Sequence, residues 1–361
     1  MKTDTLRRAA AVCVLALAAA MIAAPVAAQD SAVTGQPSPR FEKVATAEEL
    51  GIAFDRFVTD DSFGREITFY LSVAPIPASD DAVAAKLPLV LVIGGSGCQS
   101  AFMKFGERTS SGLQGLLLSE AKGRARVMIV EKPGVEFLFA PGRPGSALEG
   151  SEEFLREHTL QRWGEANAAA VRAAWTMPDI QADRTLCLGH SEGAIVAARV
   201  SAVLPEVTHA AVLSGGGATQ LFSLAQLAME PREGDKPGDA LKRRDAIYQG
   251  WQRVLESPDS IEDFWLGHPH RRWSSFLKSS VSEELLKGKA KVFAAQGTAD
   301  TSEHVDGHDL LIATLRVHDR DVTEARIEGG GHSYRPADAE PGPPTELRAM
   351  FGRILDWFLD E

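Results

Sequence analysis

The run LPLVLVI, Leu87–Ile93, has no polar interruption, as expected of a strand buried on both faces of a sheet. From there, apolar patterns of two periods alternate along the chain. Helical spacing around residues 113–122 leads to an apolar strand at 126–130. Helical spacing at about 152–175 leads to a strand at 185–188, and a helix at 194–204 to a strand at 210–213. Strand and helix in turn predict an α/β fold, with a mostly parallel central sheet and helices on both faces. Ahead of the run, residues 56–73 alternate polar and apolar around Asp60-Asp61-Ser62-Phe63-Gly64, which predicts an antiparallel hairpin.

The rhythm breaks between about residues 218 and 288. No strand pattern occurs there, only amphipathic helical pieces carrying Phe222, Trp251, Phe264, Trp265, Trp273 and Phe276. An insertion of this length predicts an inserted helical cap or a second subdomain. The alternation then resumes with a strand at 291–295, a helix at 305–317, a strand at 323–327 and a last helix at 345–359.

The N-terminus follows a different logic. Lys2, Arg7 and Arg8 precede an apolar stretch at 9–24, and Val26-Ala27-Ala28 offers a small-residue cleavage site before Gln29. That is the secretory signal pattern; a membrane anchor is the alternative, although the stretch is short of the roughly 20 residues that span a bilayer. The expected organisation is a signal peptide at 1–28, a Ser-, Pro-, Ala- and Glu-rich leader at 29–50, and one domain at 51–361 with its cap at about 218–288. Periplasmic or secreted localisation follows, with no membrane span after signal removal.

Apolar residues make up 44% of the chain and charged residues 24%, enough for a sizeable core under a soluble surface. The formal net charge of -11 argues against a nucleic-acid partner, which requires a basic face. Cys13 leaves with the signal. Cys98 and Cys187 fall near ends of predicted strands and read as two separate buried thiols; an exported protein also permits a disulfide between them.

Candidate chemistry centres on Gly189-His190-Ser191-Glu192-Gly193, where the strand at 185–188 hands over to the helix at 194–204. A tight turn with Ser191 as a helix cap is one reading. The other is a sharp turn that raises a nucleophilic hydroxyl, with glycines because neither flank leaves room for a side chain. The adjoining helix N-terminus favours developing negative charge. A serine hydroxyl is a poor nucleophile without a base, and the base needs a third group to orient it. The best base is His332, in Gly329-Gly330-Gly331-His332, just past the last predicted strand. The best acid is Asp300, in Gly297-Thr298-Ala299-Asp300, past the strand before it. Each follows the C-terminal end of a strand, the edge where open α/β sheets build their sites. Asp306 and Asp309 compete with Asp300 but fall inside a predicted helix, and His190 reads as a packed turn residue rather than the base.

With these motifs the chain resembles the α/β-hydrolase superfamily from about residue 52 onward. The Ser191 pentapeptide is similar to its nucleophile elbow, residues 297–300 to its acid loop and Gly331-His332 to its histidine loop, in the order that fold uses. The resemblance implies Ser191 as nucleophile, His332 as general base and acid, and Asp300 as the carboxylate that fixes the imidazole. Serine at the elbow argues against the epoxide hydrolase and dehalogenase branches, which use aspartate, and against the dienelactone hydrolases, which use cysteine. Two backbone N–H groups are implied as an oxyanion hole. One is that of Glu192. The other is that of Ser96, because Gly94-Gly95-Ser96-Gly97 resembles a His-Gly-x-Gly loop with Gly94 in place of histidine. A phosphate-binding reading of that loop fails, since Gln99 and Ser100 supply no Lys-Ser/Thr pair.

The activity implied is cleavage of a small-molecule ester through an acyl-enzyme, carboxylesterase-like, with no cofactor and no metal. Serine peptidases of the prolyl-oligopeptidase-like or aminopeptidase-like type are the alternative. For these, Glu230, Glu233, Asp235 and Asp239 would hold a peptide N-terminus; the same residues also read as a solvated loop. His304 and His308 are spaced i, i+4 and His268 and His270 lie in the cap; they read as polar residues at a cleft, with zinc binding the alternative. The cap aromatics are expected to pack the cap onto the sheet, with one or two facing the substrate. Arg271 or Arg272 would pair within the cap or with a substrate carboxylate.

Overall fold

The computed structural model describes residues 40–74, 85–336, 338–340 and 342–360; the expected signal peptide at 1–28 lies outside them. The chain begins with β1 (Phe41–Ala45), α1 (Ala47–Leu50), β2 (Phe54–Asp60), β3 (Glu66–Ser72) and β4 (Leu87–Ile93). A small ribbon of β5 (Met103–Phe105) and β6 (Arg108–Ser110) precedes α2 (Gly112–Ala121), β7 (Arg126–Val130), α3 (Glu152–Glu157) and α4 (Leu160–Trp175). Next come β8 (Ile180–His190), α5 (Glu192–Val203) and β9 (His209–Leu213). The inserted region holds α6 (Gln220–Met229), α7 (Asp239–Glu256), β10 (Phe264–Trp265), β11 (His268–Pro269), α8 (His270–Phe276) and α9 (Val281–Lys287). The chain closes with β12 (Lys291–Gly297), α10 (Val305–Val317), β13 (Val322–Ile327) and α11 (Thr345–Asp360).

Nine strands form one sheet in the order β1-β2-β3-β7-β4-β8-β9-β12-β13. The six from β7 to β13 run parallel, and β1 to β3 join antiparallel at one edge. The pleat of β4 divides the core. Leu89, Leu91 and Ile93 pack with α4 and α5 on one face, while Val90 and Val92 pack with α2 and α11 on the other. Burial on both faces is the reason this strand carries no polar side chain. The α/β architecture is as the alternation predicts, and the parallel strands aim their C-terminal ends at one edge.

Four local expectations are corrected. Part of the stretch read as a loose leader is ordered: β1 pairs with β2, and α1 carries a capping box between Thr46 and Glu49, so the folded domain starts before residue 51. The helix expected over 152–175 is two helices, because Thr159 turns the chain and caps α4 at Arg162 N. The strand expected at 185–188 is longer and begins at Ile180. The inserted region is not free of strands; β10 and β11 form a ribbon across Leu266 and Gly267, both at positive φ, the geometry of a type I′ turn.

Inside the insertion, Trp265, Trp273, Val254 and Leu277 make their own small core, with Leu221, Leu224, Ile247 and Trp251 against it. Phe276 instead joins the main core. Cys98 and Cys187 are separate buried thiols.

Candidate active site

Ser191 sits between the end of β8 and the first residue of α5, with φ 59 and ψ -127. A non-glycine residue in that region costs about 1–3 kcal/mol, strain that persists only where the surroundings over-determine it. Two contacts do so here. The Ser191 N–H donates to Leu213 O at 2.8 Å, and the flanking glycines allow strand, turn and helix to close on one another. A Cβ on Gly189 would fall 1.9 Å from the Gly193 carbonyl oxygen, and one on Gly193 would fall 2.2 Å from the Ile93 carbonyl oxygen. The helix-cap reading fails, since the Ser191 side chain makes no capping bond.

Asp300 and His332 meet. His332 Nδ1 donates to Asp300 Oδ2 at 2.8 Å; the carboxylate only accepts, which fixes the tautomer and leaves Nε2 free of its proton. Asp300 Oδ2 also accepts from Gln296 Nε2 at 2.8 Å, and Oδ1 from the N–H groups of Ser302 and Glu303 at 2.7 and 3.1 Å. Burial pushes the Asp300 carboxyl up, but the His332 bond and charge and the two backbone donors outweigh it and hold it below its ordinary range. The acid and histidine loops are joined directly, Ala299 N–H donating to Gly330 O at 2.9 Å. Asp306 and Asp309 lie in or at the start of α10, away from this contact.

His190 is buried, with Nε2 2.9 Å from the His332 carbonyl oxygen and its ring edge-on to that of His332 at 4.9 Å. Burial lowers its pKa to about 4, with the His332 charge adding to the effect. A neutral ring facing a carbonyl must carry its proton on Nε2, so His190 supports the histidine loop from below.

Ser191 and His332 open onto one cleft, whose wall includes Glu192, Gln220, Phe276 and Glu303. Phe276 is the cap aromatic that reaches it. Glu303 is buried, and desolvation raises its pKa to about 8, the Ser223 hydroxyl opposing and the Asp300 charge adding. It is neutral at pH 7, bonded to Ser223 Oγ.

Sequence reasoning assigned Glu192 only a backbone role. Its side chain is the centre of a buried ion cluster: Oε1 lies 2.8 Å from His158 Nε2, and Oε2 accepts from Arg272 Nε at 2.9 Å and also from Nη2. Arg272 Nη2 continues to Gln220 Oε1 at 3.1 Å, and its guanidinium lies over Trp273 and Phe276 at 4.0 and 4.7 Å. Burial opposes ionisation of Glu192, but Arg272, His158 and Lys132 overcome it and hold the carboxyl well below its ordinary range. Of the two arginines considered for a substrate carboxylate, Arg271 pairs with Asp259 inside the insertion and Arg272 with the elbow. No sequence signal joins Arg272 or His158 to Glu192, which lie 80 and 34 positions away.

The loop after β4 runs beside Ser191. A Cβ on Gly95 would lie 3.3 Å from Ser191 Cβ and 3.5 Å from its Oγ. Ser96 Oγ is turned away and donates to Gly145 O at 3.2 Å. Of the four histidines weighed for zinc, His304 Nε2 meets Glu230 Oε1 at 2.9 Å, His308 Nε2 lies 3.6 Å from Glu324 Oε1, His270 Nδ1 meets Ser257 Oγ at 2.8 Å, and His268 lies edge-on to Trp273. Among the described residues, no group of three His, Cys, Asp or Glu side chains is arranged to hold a metal ion.

Sheet order, strand direction and a strained serine at the β8–α5 junction define the α/β-hydrolase fold. Solved structures share it. The chain superposes on a puromycin-hydrolyzing peptidase of Mycobacterium tuberculosis with TM-score 0.55 at 17% identity, over 89% of this chain and 38% of that one. Est1E from Butyrivibrio proteoclasticus with ferulic acid bound matches at 0.52 and 14%, over 83% and 98%. Acetyl xylan esterase 1 from a Thermoanaerobacterium species matches at 0.52 and 13%, over 88% of each chain. The chain thus spans well under half the length of the peptidase. No protein-family model and no curated protein matches the sequence.

Proposed function

We propose that the protein is a serine hydrolase that cleaves an ester through an acyl-enzyme on Ser191. One observation carries the reading: a strained, glycine-flanked serine and a histidine oriented by a buried carboxylate line the same cleft. His332 Nε2 takes the hydroxyl proton as Oγ attacks the carbonyl carbon, and the carbonyl π pair moves onto oxygen. The N–H groups of Glu192 and Ser96 receive that oxyanion. When the C–O bond breaks, His332 gives its proton to the departing alkoxide. The same imidazole then deprotonates a water that hydrolyses the acyl-enzyme, returning free Ser191.

The acidic groups support an ester over a peptide with a free amino end. Of the four acids, Glu230 meets His304, Asp235 meets Arg243 and Asp239 meets Lys242, and Glu233 alone has no ion pair among the described residues. In the cleft, Glu192 is already paired with Arg272 and Glu303 is neutral, so neither offers a free charge to an ammonium group. Est1E and the acetyl xylan esterase are also matched over most of their own lengths.

A fluorophosphonate probe is expected to label wild type and not Ser191→Ala; equal labelling of both, or of neither, overturns the reading. On a panel of short acyl esters, long acyl esters and aminoacyl amides, ester turnover is expected, and turnover of the amides alone would replace esterase by peptidase. We further propose export with loss of residues 1–28. The mass of protein recovered outside the cytoplasm should then place Gln29 first; retention of the full leader would argue for an anchor. Among the described residues no helix is long and apolar enough to cross a membrane.

A further inference from the structure

Directly after β7, the buried pair Glu131-Lys132 grips both ends of the loop that faces Ser191. Lys132 Nζ donates to Gly95 O and to Gly97 O, each at 2.7 Å. Glu131 Oε1 accepts from Ala101 N–H at 3.0 Å, and its Oε2 lies 2.7 Å from Ser100 Oγ. Both side chains are buried, where holding a charge requires such partners.

The peptide plane converts this grip into an orientation. Gly95 O and Ser96 N–H belong to one planar trans unit and point in opposite directions. An ammonium that draws Gly95 O to one side therefore turns the Ser96 N–H to the other, and Gly95 itself lies against Ser191. Among the described residues the Ser96 N–H has no hydrogen-bond partner, so it is available to a ligand. In a site of low dielectric, the ammonium also polarises the carbonyl it binds and strengthens the N–H at the other end of the same amide.

We infer that Lys132 is a positioning residue for catalysis: by fixing the Gly95 and Gly97 carbonyls it aims the Ser96 N–H at the oxyanion formed on attack by Ser191. It touches no substrate atom. The inference rests on Ser191 being the nucleophile, and a neutral loop clamp would leave kcat alone. Glu131 fixes the far end of the loop and completes the cradle. A second cleft lies against the loop, lined by Gly94, Gly95, Glu131 and Lys132 among others.

The test compares wild type with Lys132→Met and with Lys132→Gln, which loses the charge but keeps a donor, on the best ester of the panel. Lys132→Met is expected to lower kcat by about 10²–10³-fold, the usual cost of an oxyanion donor, while KM moves less than about threefold. Lys132→Gln should fall between. The rate of phosphonylation of Ser191 should drop in parallel, because that adduct places an oxygen in the same site. Wild-type kcat in a folded Lys132→Met, or a loss confined to KM, overturns the inference while leaving the hydrolase reading intact. Absence of labelling in wild type overturns both. A measurement on wild type alone covers variants that fail to fold. The Ser96 amide proton should move downfield in NMR when Ser191 is phosphonylated, and an unmoved Ser96 with a shifted Gly95 amide sinks the inference.

Discussion

Arg272 is the largest fully buried side chain among the described residues, and its position makes a local prediction possible. It leaves α8, crosses to the β8–α5 turn and neutralises Glu192, one residue from Ser191. Breaking a buried ion pair from one side strands the other charge and costs about 3–5 kcal/mol. Arg272→Met should therefore lose stability of that order in chemical denaturation. Glu192→Gln in the Arg272→Met background should recover much of it, because the stranded charge is gone. Additive losses in the double variant would show that the pair is not what holds this contact. The same residue marks the limit of what the sequence displays. Ser191, Asp300 and His332 are readable because each sits on a short glycine-bearing loop just past a predicted strand. Lys132, Glu131, Arg272 and His158 carry no local signature. Their roles arise only from contacts made across the fold, by side chains that elsewhere would read as surface charge.

Elements divide along the same line. Strands buried on both faces, such as β4, β7, β9 and β12, announce themselves as apolar runs, and the helices between them show their buried stripe. β1 does not. Four of its five residues are exposed, so its sequence FEKVA has no buried face to encode, and only pairing with β2 orders it. β8 was partly hidden because its first half, with Gln181, Asp183 and Arg184, is polar. The ribbon β10–β11 is two residues long on each side, too short for any period to appear. The break between α3 and α4 was legible in principle, since Thr159 stands where an N-cap residue would. Helical spacing continues across it and masked the stop. In the insertion, Trp251, Trp265 and Trp273 pack among themselves, Phe264 packs against the cluster of Cys98 and Phe154, and Phe276 meets the cleft.

At the scale of the whole molecule, the site imposes a pH dependence on folding through Glu303. This acid lies between α6, which supplies Ser223, and the Asp300 loop, and its pKa rises to about 8 from the ordinary 4.5. Between those two values the folded chain holds a proton that the unfolded chain has released. Stability from this group is therefore fully present below pH 4.5 and is lost as pH rises toward 8, with a limiting slope of about 1.4 kcal/mol per pH unit. Glu131, raised to about 7 by its own burial, slopes in the same direction. The informative quantity is thus the difference between wild type and Glu303→Gln, whose amide keeps a donor without a titration. Melting temperatures from pH 5 to 9 should show Glu303→Gln gaining on wild type steadily up to about pH 8 and levelling beyond it. A constant difference would mean Glu303 ionises normally. Activity should bend with stability but for another reason. Under the proposed mechanism, ionised Glu303 adds a second negative charge beside Asp300 in the cleft and opposes the oxyanion that forms there. Wild-type kcat should then decline on the alkaline side, while Glu303→Gln holds its plateau to higher pH. A shared decline in both would assign that limb to another group.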